Sequence, residues 1–143
     1  MHNETSFIPD TERMEEIAKA LEVEAVELLL TDAEGIRRLN RDFRNKDAST
    51  DVLSFPTADI GHPDLSLPLG SIAINVEHVH EASQHLGHTP QEEALLLFVH
   101  GLLHLLGYDH ESDKGQMRAK EKELIEAFDL PQSLIVRTEE SSD

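Results

Sequence analysis

No cysteine occurs anywhere in this chain. Disulfides and thiolate ligands are therefore excluded, and any bound metal must be held by His, Asp or Glu. The absence also fits a cytoplasmic setting. Positive charge is scarce: 12 Lys and Arg stand against 29 Asp and Glu, a net charge of −17 with histidines neutral. Such a balance opposes non-specific binding to nucleic acid, so no DNA partner is expected. Any role on RNA has to rest on a local basic patch and on a metal. The acidic excess itself reads as a solvated, solubilising face.

Long apolar runs are missing as well. The most apolar stretch, Ala94 to Leu106, falls short of the ~20 residues a membrane span needs, and His100 and His104 interrupt it. Met1 to Ser6 is polar and carries no signal core. The expectation is a soluble, cytoplasmic protein without a membrane partner. With 143 residues, no internal repeat and no low-complexity linker, residues 1–143 are expected to form a single domain. Residues 136–143 read as a frayed acidic tail.

What is present is a mixture of helix and strand signals. Asp10 can cap a helix to about Leu21, with Met14, Ile17, Ala18 and Leu21 on one face. Val26 to Thr31 is a short apolar run, read as a strand. Asp32 caps a second helix in which Ile36, Leu39, Asn40 and Phe43 recur at helical spacing. Residues 44–50 read as a polar loop, Asp51 to Phe55 as a strand stopped by Pro56, and the proline-rich residues 57–69 as another loop. Ser71 to Asn75 is a further strand and Val76 to Leu86 a helix. Thr89-Pro90-Gln91-Glu92 combines an N-cap, a first-turn proline and a capping-box glutamate, opening a helix to about Leu106. Asp113 is expected to cap a last helix, Lys114 to Phe128. The sum is an α+β (mixed α/β) fold with one short mixed sheet. Leu95, Leu96, Val99, Leu103 and Leu106 would pack the leucine-rich helix on that sheet, its opposite edge lining a cleft.

That helix carries the chain's chemistry. His100 and His104 are four residues apart and project from one helix face. Gly107 can end the helix in the left-handed conformation. The chain then turns through Tyr108 and Asp109 and returns His110. Three imidazoles suit one zinc ion per chain, with a coordination position left for water. Each must be neutral to bind, so the site should weaken in acid. The reaction class is metal-assisted hydrolysis.

The spacing matches that of metzincin peptidases except at one position. Those enzymes place a glutamate general base after the first histidine, and here Gly101 stands there. Gly101 reads equally as close helix packing or as room for a bulky substrate, and under either reading a peptidase loses its base. Met117 is too near His110 to serve as a methionine turn. Arg44 and Lys46 bring positive charge to the segment before the Asp51 strand. Arginine can offset charge developing in phosphoryl transfer. From spacing alone, a surface ion pair of Arg44 with Asp42 or Asp47 explains it better.

Two motifs together resemble the YbeY family of metal-dependent endoribonucleases. The signature H-G-x-L-H-L-x-G-Y-D-H is matched by His100 to His110, and T-D-V-L-S-F-P by Thr50 to Pro56. The preceding L-N-x-x-[YF]-R is matched by Leu39, Asn40, Phe43 and Arg44. The resemblance covers about residues 25 to 128. It implies a zinc-dependent, single-strand-preferring endoribonuclease in 16S rRNA processing and ribosome quality control, with an rRNA precursor and a ribosomal subunit or ribosomal protein as partners. It implies His100, His104 and His110 as zinc ligands and Arg44 as the arginine beside the metal. One departure is Ser71, where the family often has aspartate. Asp109 or Glu111, flanking the third ligand, could handle protons or orient an imidazole. His78, His80, His85 and His88 are expected to be ordinary exposed side chains rather than a second metal site, and His2 and His62 carry no signal. Rival readings are a non-catalytic, metal-stabilised ribosome-assembly factor and, more remotely, a zinc peptidase.

Overall fold

The computed structural model describes residues 2–56, 70–108 and 114–130. The 57–69 loop, the Asp113 cap, the third histidine His110 with Asp109 and Glu111, and the acidic tail lie outside the described residues.

Every strand of the sheet among the described residues is short. Helix α1, Thr11–Ala20, starts where the Asp10 carboxylate accepts the Arg13 backbone N–H at 3.2 Å. It leads into β2, Glu27–Thr31. Asp32 accepts the Gly35 N–H at 2.7 Å and opens α2, Ala33–Arg44. Arg44 is thus the last helical residue, not a loop residue as expected. Asn45 takes the left-handed conformation (φ 57°) that ends the helix one residue later. Strand β3, Val52–Pro56, and strand β4, Gly70–Asn75, follow, then α3, Val76–Leu86, capped by Asn75. Helix α4, Pro90–Leu105, opens with both halves of the Thr89–Glu92 capping box formed. Helix α5 is Gln116–Phe128. It begins two residues later than expected, after Gly115 at φ 100°.

Among the described residues the result is an α+β fold around a four-stranded mixed sheet that begins with β1 (His2–Asn3) and runs in the order β1-β2-β4-β3. Strand β1, His2–Asn3, is parallel to β2, β2 is parallel to β4, and β3 is antiparallel to β4. Strand β1 was not expected: two exposed polar residues carry no apolar alternation, and an edge position demands none. Strand β3 forms the other edge. Its register sets Ser54 opposite Ile72 and Phe55 opposite Ser71. Pro56 is tolerated there because an edge strand can spare an N–H.

Side chains divide between the faces with period two. Leu28, Leu30, Ile72 and Ile74 join α1 and α4 in the main core. Leu53 and Ala73 face Ile36 of α2 on the other side. Leu95, Leu96, Val99 and Leu103 are completely buried, as expected. Leu106 is not, at 37% exposed. It is the C-cap residue, and the chain leaves the helix there through a Schellman turn: Tyr108 N–H donates to Leu103 O and Gly107 N–H to His104 O, both at 3.0 Å, with Gly107 at φ 97°. Among the described residues no helix is long and apolar enough to cross a membrane.

Candidate metal centre

In the second half of helix α4 every residue but His100 and His104 is buried, so the two histidines mark the stripe that opens. Their Nε2 atoms face one another at 3.1 Å, with ring planes 76° apart. Two ligands of one tetrahedral zinc, each at about 2.0–2.1 Å, lie roughly 3.3 Å apart. The pair therefore fits a shared metal in both donor type and spacing. Among the described residues no group of three His, Cys, Asp or Glu gathers around one point; the third expected ligand, His110, is outside them.

Behind His100 stands a residue that sequence reasoning missed. The Glu121 carboxylate, fully buried, approaches His100 Nδ1 at 3.6 Å. That is an electrostatic contact, longer than a hydrogen bond. It favours a proton on Nδ1 and leaves the Nε2 lone pair facing His104, the tautomer a metal ligand requires. The signal was legible in principle. Met117, Glu121 and Leu124, at helical spacing on α5, are all buried, so an acid occupies the helix's apolar stripe.

The histidines open on a cleft of about 330 Å³ lined by Arg44, Asp51, Val52, Leu53, Ser54, Pro56, His100 and His104. Strand β3 is one wall and α4 the other. Gly101 holds the two together. A Cβ on it would lie 2.9 Å from Ile72 Cγ2 and 3.1 Å from Ser54 Oγ, and the Ser54 hydroxyl donates to Gly101 O at 2.9 Å. Close packing thus accounts for the glycine. A glutamate there would have to displace Ile72 or Ser54.

Arg44 is brought to the same cleft. Its expected ion-pair partners are engaged elsewhere: Asp47 with Arg37 at 2.7 Å and Asp42 with Arg41 at 3.2 Å. The Arg37 guanidinium, through its hydrogen bond, holds the Asp47 carboxyl below the usual carboxylate range. Arg44 instead donates from Nη2 to Ser54 O on the edge strand and lies over the Phe55 ring, 5.4 Å from its centroid. The cleft gains a cation that needs no other charge to hold it in place. Ser71, on β4, pairs with Phe55 and Glu27 across the sheet and does not line the cleft.

The other histidines split. His80 and His85 are exposed as expected. His88 is not: its ring is only 10% exposed, and its Nε2 meets the fully buried Glu93 at 2.8 Å. The second Glu93 oxygen faces His78 Nε2 at 3.9 Å, and Asp51 approaches His78 at the same distance. The sequence hint was Glu93 itself, an acid one residue past the capping box at the start of a buried helix.

The model of the family described as Endoribonuclease YbeY matches residues 4–129. A Sulfurovum protein named Endoribonuclease YbeY is 50% identical over 141 residues, covering 97% of this chain and 96% of its own. Its namesake from Campylobacter jejuni is 54% identical over 125 residues, 87% of this chain and 90% of its own. That from Helicobacter pylori is 51% identical over 139 residues, 96% of each chain. Among solved structures, the solution structure of the Thermotoga maritima protein TM1509 superposes with a TM-score of 0.55 at 33% identity, covering 81% of this chain and 76% of that one. With the family model spanning three of the four strands, the cleft and the histidine helix alike, the chain belongs to the YbeY endoribonuclease family.

Proposed function

We propose that this protein is a zinc-dependent endoribonuclease that prefers single-stranded RNA and acts in 16S rRNA processing and ribosome quality control. The observation that carries the reading is the facing Nε2 pair of His100 and His104, 3.1 Å apart in a cleft that also receives Arg44. Family membership supports the RNA substrate. His100, His104 and His110 would hold the ion. When bound, zinc supplies a water acidified toward neutral pH and polarises a phosphoryl oxygen. Glu121 orients His100 from behind. Arg44 donates to a non-bridging phosphate oxygen and offsets the charge that grows as water adds to phosphorus and a P–O bond breaks. Asp109 or Glu111 takes the proton from the attacking water and returns one to the leaving oxygen. The setting is cytoplasmic, with a ribosomal subunit or ribosomal protein as partner.

The net charge of −17 favours one rival, a non-catalytic assembly module docked on a basic ribosomal protein. Cleavage of a labelled rRNA fragment separates the two. The zinc-loaded protein is expected to cut it, while a folded His104→Ala variant loses zinc and at least a hundredfold in rate. Equal behaviour of the two proteins, with zinc present only in the wild type, would move the assignment to the assembly module.

A further inference from the structure

The acidic balance of the chain hides a local reversal. Five of its 12 basic residues, Arg37, Arg38, Arg41, Arg44 and Lys46, fall within ten positions on α2 and just beyond it. At the end of that basic helix is an aromatic side chain in the wrong place for a core. Phe43 continues the stripe of Ile36, Leu39 and Asn40, yet it is 62% exposed, while Ile36 is fully buried. By Phe43 the helix has reached edge strand β3, where it meets Phe55, at 5.4 Å between centroids and 57° between ring planes. The two rings border a largely apolar groove of about 370 Å³ on the α2 face of the sheet, lined also by Leu29, Leu39, Ala73 and the carboxylate residue Glu27.

Strand alternation fixes how this groove relates to the cleft. Ser54 and Pro56 line the histidine side of β3, and Phe55 borders the groove on the other. Arg44 wraps the edge between them, lining the cleft while lying over the Phe55 ring. We infer that Phe43 and Phe55 form a stacking platform for the nucleobase next to the scissile phosphate, which Arg44 holds at the strand edge. This rests on the ribonuclease reading above. Two observations select RNA as the occupant: Arg44, which lines the cleft, lies over the Phe55 ring that borders the groove, and the groove's anchor is an exposed aromatic face. Bases stack on such faces whatever their identity. Only a base already out of a helix can reach round a strand edge, which gives the single-strand preference a physical cause.

The test compares wild type, Phe43→Ala and Phe43→Tyr, all zinc-loaded. Steady-state cleavage of single-stranded RNA is read beside fluorescence of 2-aminopurine, placed at successive positions of a non-cleavable 2′-O-methyl oligonucleotide. The Ala variant is expected to raise KM about tenfold, the lower range for one lost base stack, with kcat within about twofold and zinc content unchanged. Quenching at one position should vanish in Phe43→Ala and return in Phe43→Tyr. If Phe43→Ala cleaves with unchanged KM and quenches like wild type, the platform is wrong and the ribonuclease reading stands. If that variant instead loses only cosedimentation with ribosomal subunits, the groove is a protein-docking face and the inference is equally overturned. A wild type that neither cleaves nor quenches overturns both readings.

Discussion

Helix α4 carries two histidine–glutamate clusters, and they are built in opposite senses. Glu93 and His100 lie seven residues, two helical turns, apart on nearly the same stripe. At Glu93 the helix supplies the carboxylate, and imidazoles come to it from His78 on α3 and from His88 in the α3–α4 turn. At His100 the helix supplies the imidazole, and Glu121 comes from α5. The first arrangement turns the carboxylate oxygens inward onto rings and is closed. The second puts the carboxylate behind the ring, so that Nε2 points past it toward His104 and the cleft. Buried acid beside histidine is common to both. What distinguishes a candidate site is the second imidazole converging on the first at an opening, with Arg44 opposite. Asp51, which lines the cleft and approaches His78, stands between the two.

The largest effect that would sharpen this contrast comes from Arg44, which faces only the open side. Arg44→Ala should lower kcat about a hundredfold, as loss of a single charge-stabilising donor does, while zinc content stays at one per chain. Wild-type cleavage by this variant would show that the cation does not serve the reaction.

Exchanging the two glutamates for glutamine tests the comparison directly. Glu121→Gln should weaken zinc about 10- to 100-fold in a chelator competition, the usual cost of losing a carboxylate behind a ligand histidine. Glu93→Gln should leave zinc affinity within about twofold and lower unfolding free energy by about 1–3 kcal/mol in urea titrations. If the two variants traded these phenotypes, the closed cluster would be the metal site and the open one its support.

Much of this geometry was legible before the fold was known, for a local reason. The Thr89–Glu92 capping box, the i, i+4 histidines and the Gly107 stop are all written within one helix and its ends, where spacing alone determines who faces whom. Strands β2 and β4 showed themselves by apolar runs. What escaped was the work of distant partners. Arg44 looked like a partner for Asp42 or Asp47, because nothing nearby in sequence says that Arg37 and Arg41 claim them. Glu121 is 21 positions from His100, and its role exists only once α5 docks on α4. Leu106 fits the apolar periodicity of α4 and fails it in space, because the helix ends one residue earlier. Phe43 fails for the complementary reason: its helix continues to the sheet's edge.

The smallest effect belongs to the cap of the helix that carries both clusters. Thr89 Oγ1 accepts the Glu92 N–H at 3.1 Å, and Glu92 Oε1 accepts the Thr89 N–H at 2.9 Å. Thr89→Ala should cost about 1 kcal/mol. The backbone N–H of Thr89 holds the Glu92 carboxyl below its ordinary value of 4.5. A carboxyl lowered in the folded state stabilises above its unfolded pKa, and that contribution fades as pH falls from 4.5 through the lowered value. The stability difference between wild type and Glu92→Gln, which removes the titrating carboxyl, should therefore shrink in the same acidic window and hold constant from pH 6 to 8. A difference that instead grew with acid would remove the reciprocal Glu92 bond from the account. The cap adjoins His88 and Glu93 and lies about three turns from His100. Hydrogen exchange should accordingly quicken around residues 89–93 in Thr89→Ala and stay unchanged at 100–104. Faster exchange at both ends would mean that α4 opens as one unit and that the two clusters, so different in construction, share a single stability.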